Sequence, residues 1–162
     1  ADEINMVTPD CFAKKIVVSQ YDEILQDLEH DGFEAVKNTE SILGISHSIH
    51  LALEQIPEHY AVCFSVCDQP WLTGETIQGL VSAFRKNKKG IACVTCQEQD
   101  GNPVLFAPEY RKELLKLTGD VGGKRVLLAH PEDVIRYPAN NSRELADVDE
   151  KSQLCYNQER LS

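Results

Sequence analysis

Basic charge is scarce in this sequence: 16 Lys and Arg stand against 26 Asp and Glu over 162 residues, a formal net charge of -10. The phosphate-neutralising surface that most nucleic-acid binders need is not supplied in bulk, so DNA and RNA are not expected partners. Long apolar runs are missing as well. None approaches the length that spans a bilayer, and the opening Ala1-Asp-Glu-Ile-Asn5 has neither the basic start nor the apolar stretch of a secretory signal. The sequence therefore predicts a cytoplasmic protein that does not contact membranes. With no internal repeat, low-complexity tract or linker, and 42% hydrophobic residues, residues 1–162 read as one domain with an ordinary core.

Cysteine is not scarce, and its placement matters more than its number. Four of the six, Cys63, Cys67, Cys93 and Cys96, sit inside apolar, strand-like runs rather than in turns, which fits buried free thiols better than a disulfide framework. Cys93-Val-Thr-Cys96 has zinc-knuckle spacing, but the glycines and polar turn residues that wrap backbone around a metal are absent. His30, His47, His50, His59 and His130 show no metal-binding spacing either.

Strand-like and helix-like segments alternate. Lys15 to Ser19 is a β-branched run, followed by Tyr21, Ile24, Leu25 and Leu28 at helical spacing. Phe33 to Lys37 reads as a second strand, and Ile45, Ile49, Ala52, Leu53 and Ile56 form another helical stripe closed by Pro57. The longest apolar run, Tyr60 to Cys67, reads as a central parallel strand buried on both faces. Thr73 is the expected N-cap of a helix carrying Ile77, Leu80, Val81 and Phe84. Gly90 to Cys96 is a further buried strand, and Pro103 to Phe106 a short one. Pro108 to Leu117 and Lys124 to His130 read as helices, with Val134 to Tyr137 and Leu145 to Val148 as the last strands. The pattern predicts an α/β, Rossmann-like fold with a mainly parallel sheet flanked by helices.

Asp68 stands at the C-terminal tip of the expected central strand, where open α/β sheets bind ligands. Asp147 and Asp149, two apart at the end of an expected strand, point the same way and could join Asp68 around a divalent cation, or are simply a solvated acid pair at a strand end. The Gly119 to Gly123 loop has enough glycine to bring backbone close to a ligand. Gly44-Ile-Ser46-His-Ser48, at a helix start, suits a phosphate or a ribose, or simply a cap.

In order, Ile16-Val-Val-Ser-Gln-Tyr21, Asn38 with Gly44-Ile-Ser-His-Ser48, Cys67-Asp-Gln-Pro70, Gly101-Asn-Pro-Val-Leu-Phe106, Gly119-Asp-Val-Gly-Gly123 and Asp147-Val-Asp149 resemble the MobA/MocA-like nucleotidyltransferases. That family includes the molybdenum cofactor cytidylyl- and guanylyltransferases, and the cytidylyltransferase branch is the nearer one. The resemblance implies a Mg2+-dependent enzyme in which a molybdopterin phosphate attacks the α-phosphorus of CTP or GTP. Asp68 and Asp149 would be its catalytic metal ligands, and Asn38, Ser46, Asn102, Pro103, Gly122 and Gly123 would bind substrate.

The family's opening strand and glycine-rich phosphate loop have no counterpart here, so the resemblance also implies a domain incomplete at its N-terminus. Cys67 stands where the family usually has Gly, Asn102 where many members have His, and Glu150-Lys-Ser replaces Thr-Pro-Glu. Loss of the loop opens an alternative from another class, a non-catalytic binding or interaction module derived from this family. An exposed sheet edge would then favour a second copy or a molybdoenzyme as partner.

Overall fold

A computed structural model describes residues 12–66 and 71–145. Strand β1 (Ile16–Ser19), helix α1 (Asp22–His30) and strand β2 (Glu34–Lys37) form a β-α-β unit, with β1 and β2 parallel and Ile16 opposite Glu34. Leu25 and Leu28 of α1 are buried on Val17 of β1, with Phe33 and Ala35 beside them. A 3-10 turn (Ser41–Leu43) and helix α2 (Ile45–Glu54) follow.

The second sheet holds β3 (Val62–Phe64), β4 (Ile91–Cys96), β5 (Gln99–Phe106) and β6 (Val134–Pro138) in the order β3-β5-β4-β6. Strand β4 is parallel to β6, while β5 runs antiparallel to both its neighbours. The α/β fold expected from the sequence is present, with parallel pairs in both sheets and one antiparallel strand inserted.

Both faces of β4 are covered, which explains its unbroken apolar run. Ile91 and Cys93 share a core with Ile49 and Leu53 of α2 and with Leu114 and Leu127, which lie on helices α4 (Arg111–Leu115) and α5 (Lys124–Ala129). Ala92 and Val94 face the other way, onto Ile77, Leu80 and Val81 of α3 (Gly74–Lys86). Thr73 caps α3 as predicted, its hydroxyl accepting the Thr76 N–H at 3.2 Å.

Three expectations change. The described part of the expected Tyr60 to Cys67 strand, residues 60–66, is not a long strand buried on both faces: β3 is three residues, only Val62 of it is buried, and among the described residues it pairs on one edge alone. Pro103 to Phe106 is the end of an eight-residue strand, because Gln97 and Glu98 adopt positive φ (51° and 66°) and turn β4 into a hairpin with β5. Leu145 closes a 3-10 turn (Ser142–Leu145) rather than starting a strand.

Candidate functional site

The β4–β5 register slips between Cys93, opposite Val104, and Val94, opposite Gly101. The extra residues on β5 are Asn102 and Pro103, and such a bulge re-aims side chains away from the ladder. Proline supplies no N–H and suits a place where pairing is already broken. Asn102 thereby lines a cavity of about 220 Å³ together with Gln99, Asp100, Gly101, Val104, Lys124, Leu127 and Leu145.

The cavity's charges are arranged, not scattered. Arg136 grips Asp100 with two parallel hydrogen bonds, Nε to Oδ1 at 2.9 Å and an Nη to Oδ2 at 3.1 Å, the bidentate geometry that a guanidinium and a carboxylate form best. Asp100 is thus already committed, its side chain only 13% exposed. Lys124, in contrast, makes no ion pair among the described residues. In a chain of net charge -10, a cation left unpaired at a cavity is a place for an anion. Beneath this site, burial and then the neighbouring Asp100 carboxylate push the Cys93 thiol up to about 12, so it is an inert core group.

The loop carrying Lys124 is anchored from the other side. Ser46, buried at the start of α2, gives its hydroxyl (2.7 Å) and its N–H (3.2 Å) to the Gly119 carbonyl. The Asp120 carboxylate accepts the Ile45 N–H at 3.2 Å. Gly44 has φ +89°, and a Cβ there would lie 2.5 Å from the Gly119 carbonyl group, so only glycine allows this approach. Gly123 sits where a Cβ would meet the Phe106 ring at 3.0 Å.

Asn38, buried after β2, donates Nδ2 to the Ser48 hydroxyl at 3.0 Å and accepts the Glu40 N–H at 2.9 Å. The predicted substrate-binding residues thus fall into two groups joined by the 119–123 loop: Asn102 and Pro103 at the cavity bulge, and Asn38 and Ser46 in the scaffold. Gly122 and Gly123 lie between them.

Asp68 and Asp149 lie outside the described residues. Their flanks do not. Phe64 of β3 is paired with Val104, and Leu145 packs over Gly101, where a Cβ would come within 3.1 Å of its side chain. Phe64 and Leu145, described residues on the flanks of these segments, thus both lie beside Gly101–Val104. Trp71 has the Arg143 guanidinium 5.9 Å from its ring centre. No group of three or more His, Cys, Asp or Glu that would hold a metal ion exists among the described residues. No described helix is long and apolar enough to cross a membrane.

The sequence matches the MobA-like NTP transferase domain over residues 4–134. The chain belongs to this family. No curated protein matches it. Among solved structures, the homologue of Mycobacterium tuberculosis Rv0371c from Mycobacterium sp. strain JC1 is 25% identical with a TM-score of 0.82, covering 99% of this chain and 82% of that one. Rv0371c itself, from M. tuberculosis H37Rv and in complex with manganese, is 17% identical with a TM-score of 0.76, over 98% and 82% of the two chains. A molybdopterin-guanine dinucleotide biosynthesis protein A from Archaeoglobus fulgidus is 15% identical with a TM-score of 0.59, over 90% and 77%. The MobA-like match covers residues 4–134, a stretch that includes the bulge on β5.

Lys124, Asp100, Arg136 and Leu145 were not legible as site residues. Only Lys124 carries a sequence signal, a cation directly after a double glycine, and that signal is weak.

Proposed function

We infer that this MobA-like domain transfers the nucleoside monophosphate of CTP or GTP to the phosphate of a molybdopterin-type acceptor. The observation that carries this reading is the bulge cavity, which is lined by both Asn102 and Lys124, the latter without an ion pair among the described residues. Lys124 would hold the acceptor's anionic group, and Asn102, with an amide donor and a carbonyl acceptor, would orient its polar edge. The loop from Gly119 to Gly123, pinned by Ser46, fixes where Lys124 projects. Catalysis of phosphoryl transfer is mostly positioning and charge stabilisation, and rigid placement of this kind is what it requires.

The donor set fits a hard divalent cation. Asp68 and Asp149 would supply carboxylate oxygens, as magnesium or manganese prefers, while Asp100 is committed to Arg136. Bound there, such an ion would neutralise charge on the triphosphate and the departing pyrophosphate. The manganese complex of a structural relative supports the same class of ion.

The test is calorimetric titration of CTP and GTP with Mg2+ or Mn2+, followed by pyrophosphate release on adding molybdopterin. Binding of one nucleotide and turnover, both lost in Asp68→Ala and Asp149→Ala, are expected. Acceptor binding with neither nucleotide binding nor turnover would instead establish the non-catalytic module.

A further inference from the structure

Asp100 stands where an anion site can least use a carboxylate. It lines the same cavity as Lys124, and left alone it would either repel an incoming anion or pair with Lys124 itself. The residue that prevents both does not line the cavity. Arg136 lies on β6 opposite Cys93 of β4, while Asp100 lies on β5 opposite Thr95 of β4. The guanidinium therefore reaches across β4 to bind both carboxylate oxygens, at 2.9 Å and 3.1 Å.

The three charges surround one point. Besides burial, the Cys93 thiol responds to Asp100, which raises its pKa, and to Arg136 and Lys124, which lower it. Cys93 is on the face of β4 that packs against α2, α4 and α5, and Lys124 is the first residue of α5. Stability alone does not call for the clamp, because the Arg136 side chain is 43% exposed and ion pairs with an exposed partner contribute little. What the two-point grip adds is orientation: it fixes where the carboxylate points, which a lysine at 136 could not do.

We propose that Arg136 is a positioning residue for anion recognition: by holding both oxygens of Asp100 it keeps that carboxylate off Lys124 and leaves Lys124 as the cavity's uncompensated charge, open to a phosphate-bearing ligand. This rests on the reading of Lys124 given above. It assigns to Arg136 a part in selecting ligands by charge, without any contact to the ligand.

The experiment titrates inorganic phosphate, without divalent ion, into isotope-labelled protein and follows the Gly101 and Gly123 amides by NMR. Wild type, Arg136→Gln, Asp100→Asn, the double variant Arg136→Gln/Asp100→Asn and Lys124→Ala are compared, with near-ultraviolet circular dichroism checking each fold. Expected is binding about tenfold weaker in Arg136→Gln, because a freed carboxylate opposes the anion. Asp100→Asn should bind as wild type or tighter, the double variant as wild type, and Lys124→Ala should lose binding. Wild-type affinity in folded Arg136→Gln, with loss in Lys124→Ala, overturns the role of Arg136 and leaves the Lys124 reading intact. A loss in Arg136→Gln that Asp100→Asn does not restore overturns it as well, since the defect is then structural. Wild-type affinity in Lys124→Ala, or no binding by the wild type, overturns the Lys124 reading and this proposal with it. If Arg136→Gln does not fold, Arg136→Lys takes its place: a loss that Asp100→Asn restores supports the proposal, and any other result overturns it.

Discussion

Ser46 places both its hydroxyl and its backbone N–H on the carbonyl of Gly119, 73 residues away in sequence. Removing the hydroxyl leaves that carbonyl with a single donor among the described residues. Ser46→Ala should cost about 1 kcal/mol, the usual worth of one such bond, read as a lower urea midpoint with unchanged slope.

Gly44 meets the same carbonyl with no room to spare. A Cβ at 2.5 Å from the backbone of Gly119, on a residue of φ +89°, adds steric overlap to backbone strain that alone costs about 1–3 kcal/mol. Gly44→Ala should therefore destabilise more than Ser46→Ala, by thermal or urea unfolding. An equal or smaller loss would mean the loop yields easily.

Lys124 separates binding from stability. It is exposed and unpaired among the described residues, so Lys124→Ala should alter folding stability by no more than about 0.5 kcal/mol. Acceptor KM should nevertheless rise about tenfold, equivalent to about 1.4 kcal/mol, with the KM for nucleotide unchanged. Steady-state kinetics varying each substrate in turn checks this.

Cys93 should be silent in the native protein. Burial, and secondarily Asp100, raise its folded pKa from 9.0 to about 12. The stabilisation from keeping it a neutral thiol is complete below pH 9.0 and is lost as pH rises from there toward about 12. Iodoacetamide at pH 8.5 should spare Cys93 until denaturant is added, as peptide mass mapping reads directly. Replacing it with Ala should flatten the alkaline fall in stability.

Glu144 has the opposite dependence. Burial pushes its carboxyl up, but the hydrogen bonds from Thr76, Thr73 and Asn140 together outweigh burial and hold its pKa below the ordinary 4.5. Its contribution is present above pH 4.5 and lost as pH falls from there through the folded value. Glu144→Gln should be less stable than wild type by about 2 kcal/mol at pH 7, as expected for hydrogen bonds to a charge. That gap should close on acidification, measured by urea unfolding across pH 3 to 7.

Helices α1, α2 and α3 were legible because their apolar residues recur at helical spacing, and the Thr73 cap because its chemistry is local. The hairpin from β4 to β5 was not. Its turn, Gln97-Glu98, has no glycine or asparagine to announce positive φ, and the polar residues after it were indistinguishable from a loop. Strand β3 misled for a related reason: an apolar run states that a segment is buried but not how many neighbours it pairs with.

By itself the sequence determined the α/β alternation, the buried character of β4 and, through the order of its short motifs, the family. These depend on periodicity and on neighbours a few residues apart. Only the tertiary structure decided that Asn102 and Lys124 share a cavity, that Asp100 is neutralised by Arg136, and that Glu144 is buried between Thr73, Thr76 and Asn140. Each of the last three unites groups up to 71 residues apart. The physical reason is that a polar side chain's meaning depends on which donors and charges the packed core brings to it, and a linear pattern carries no record of that.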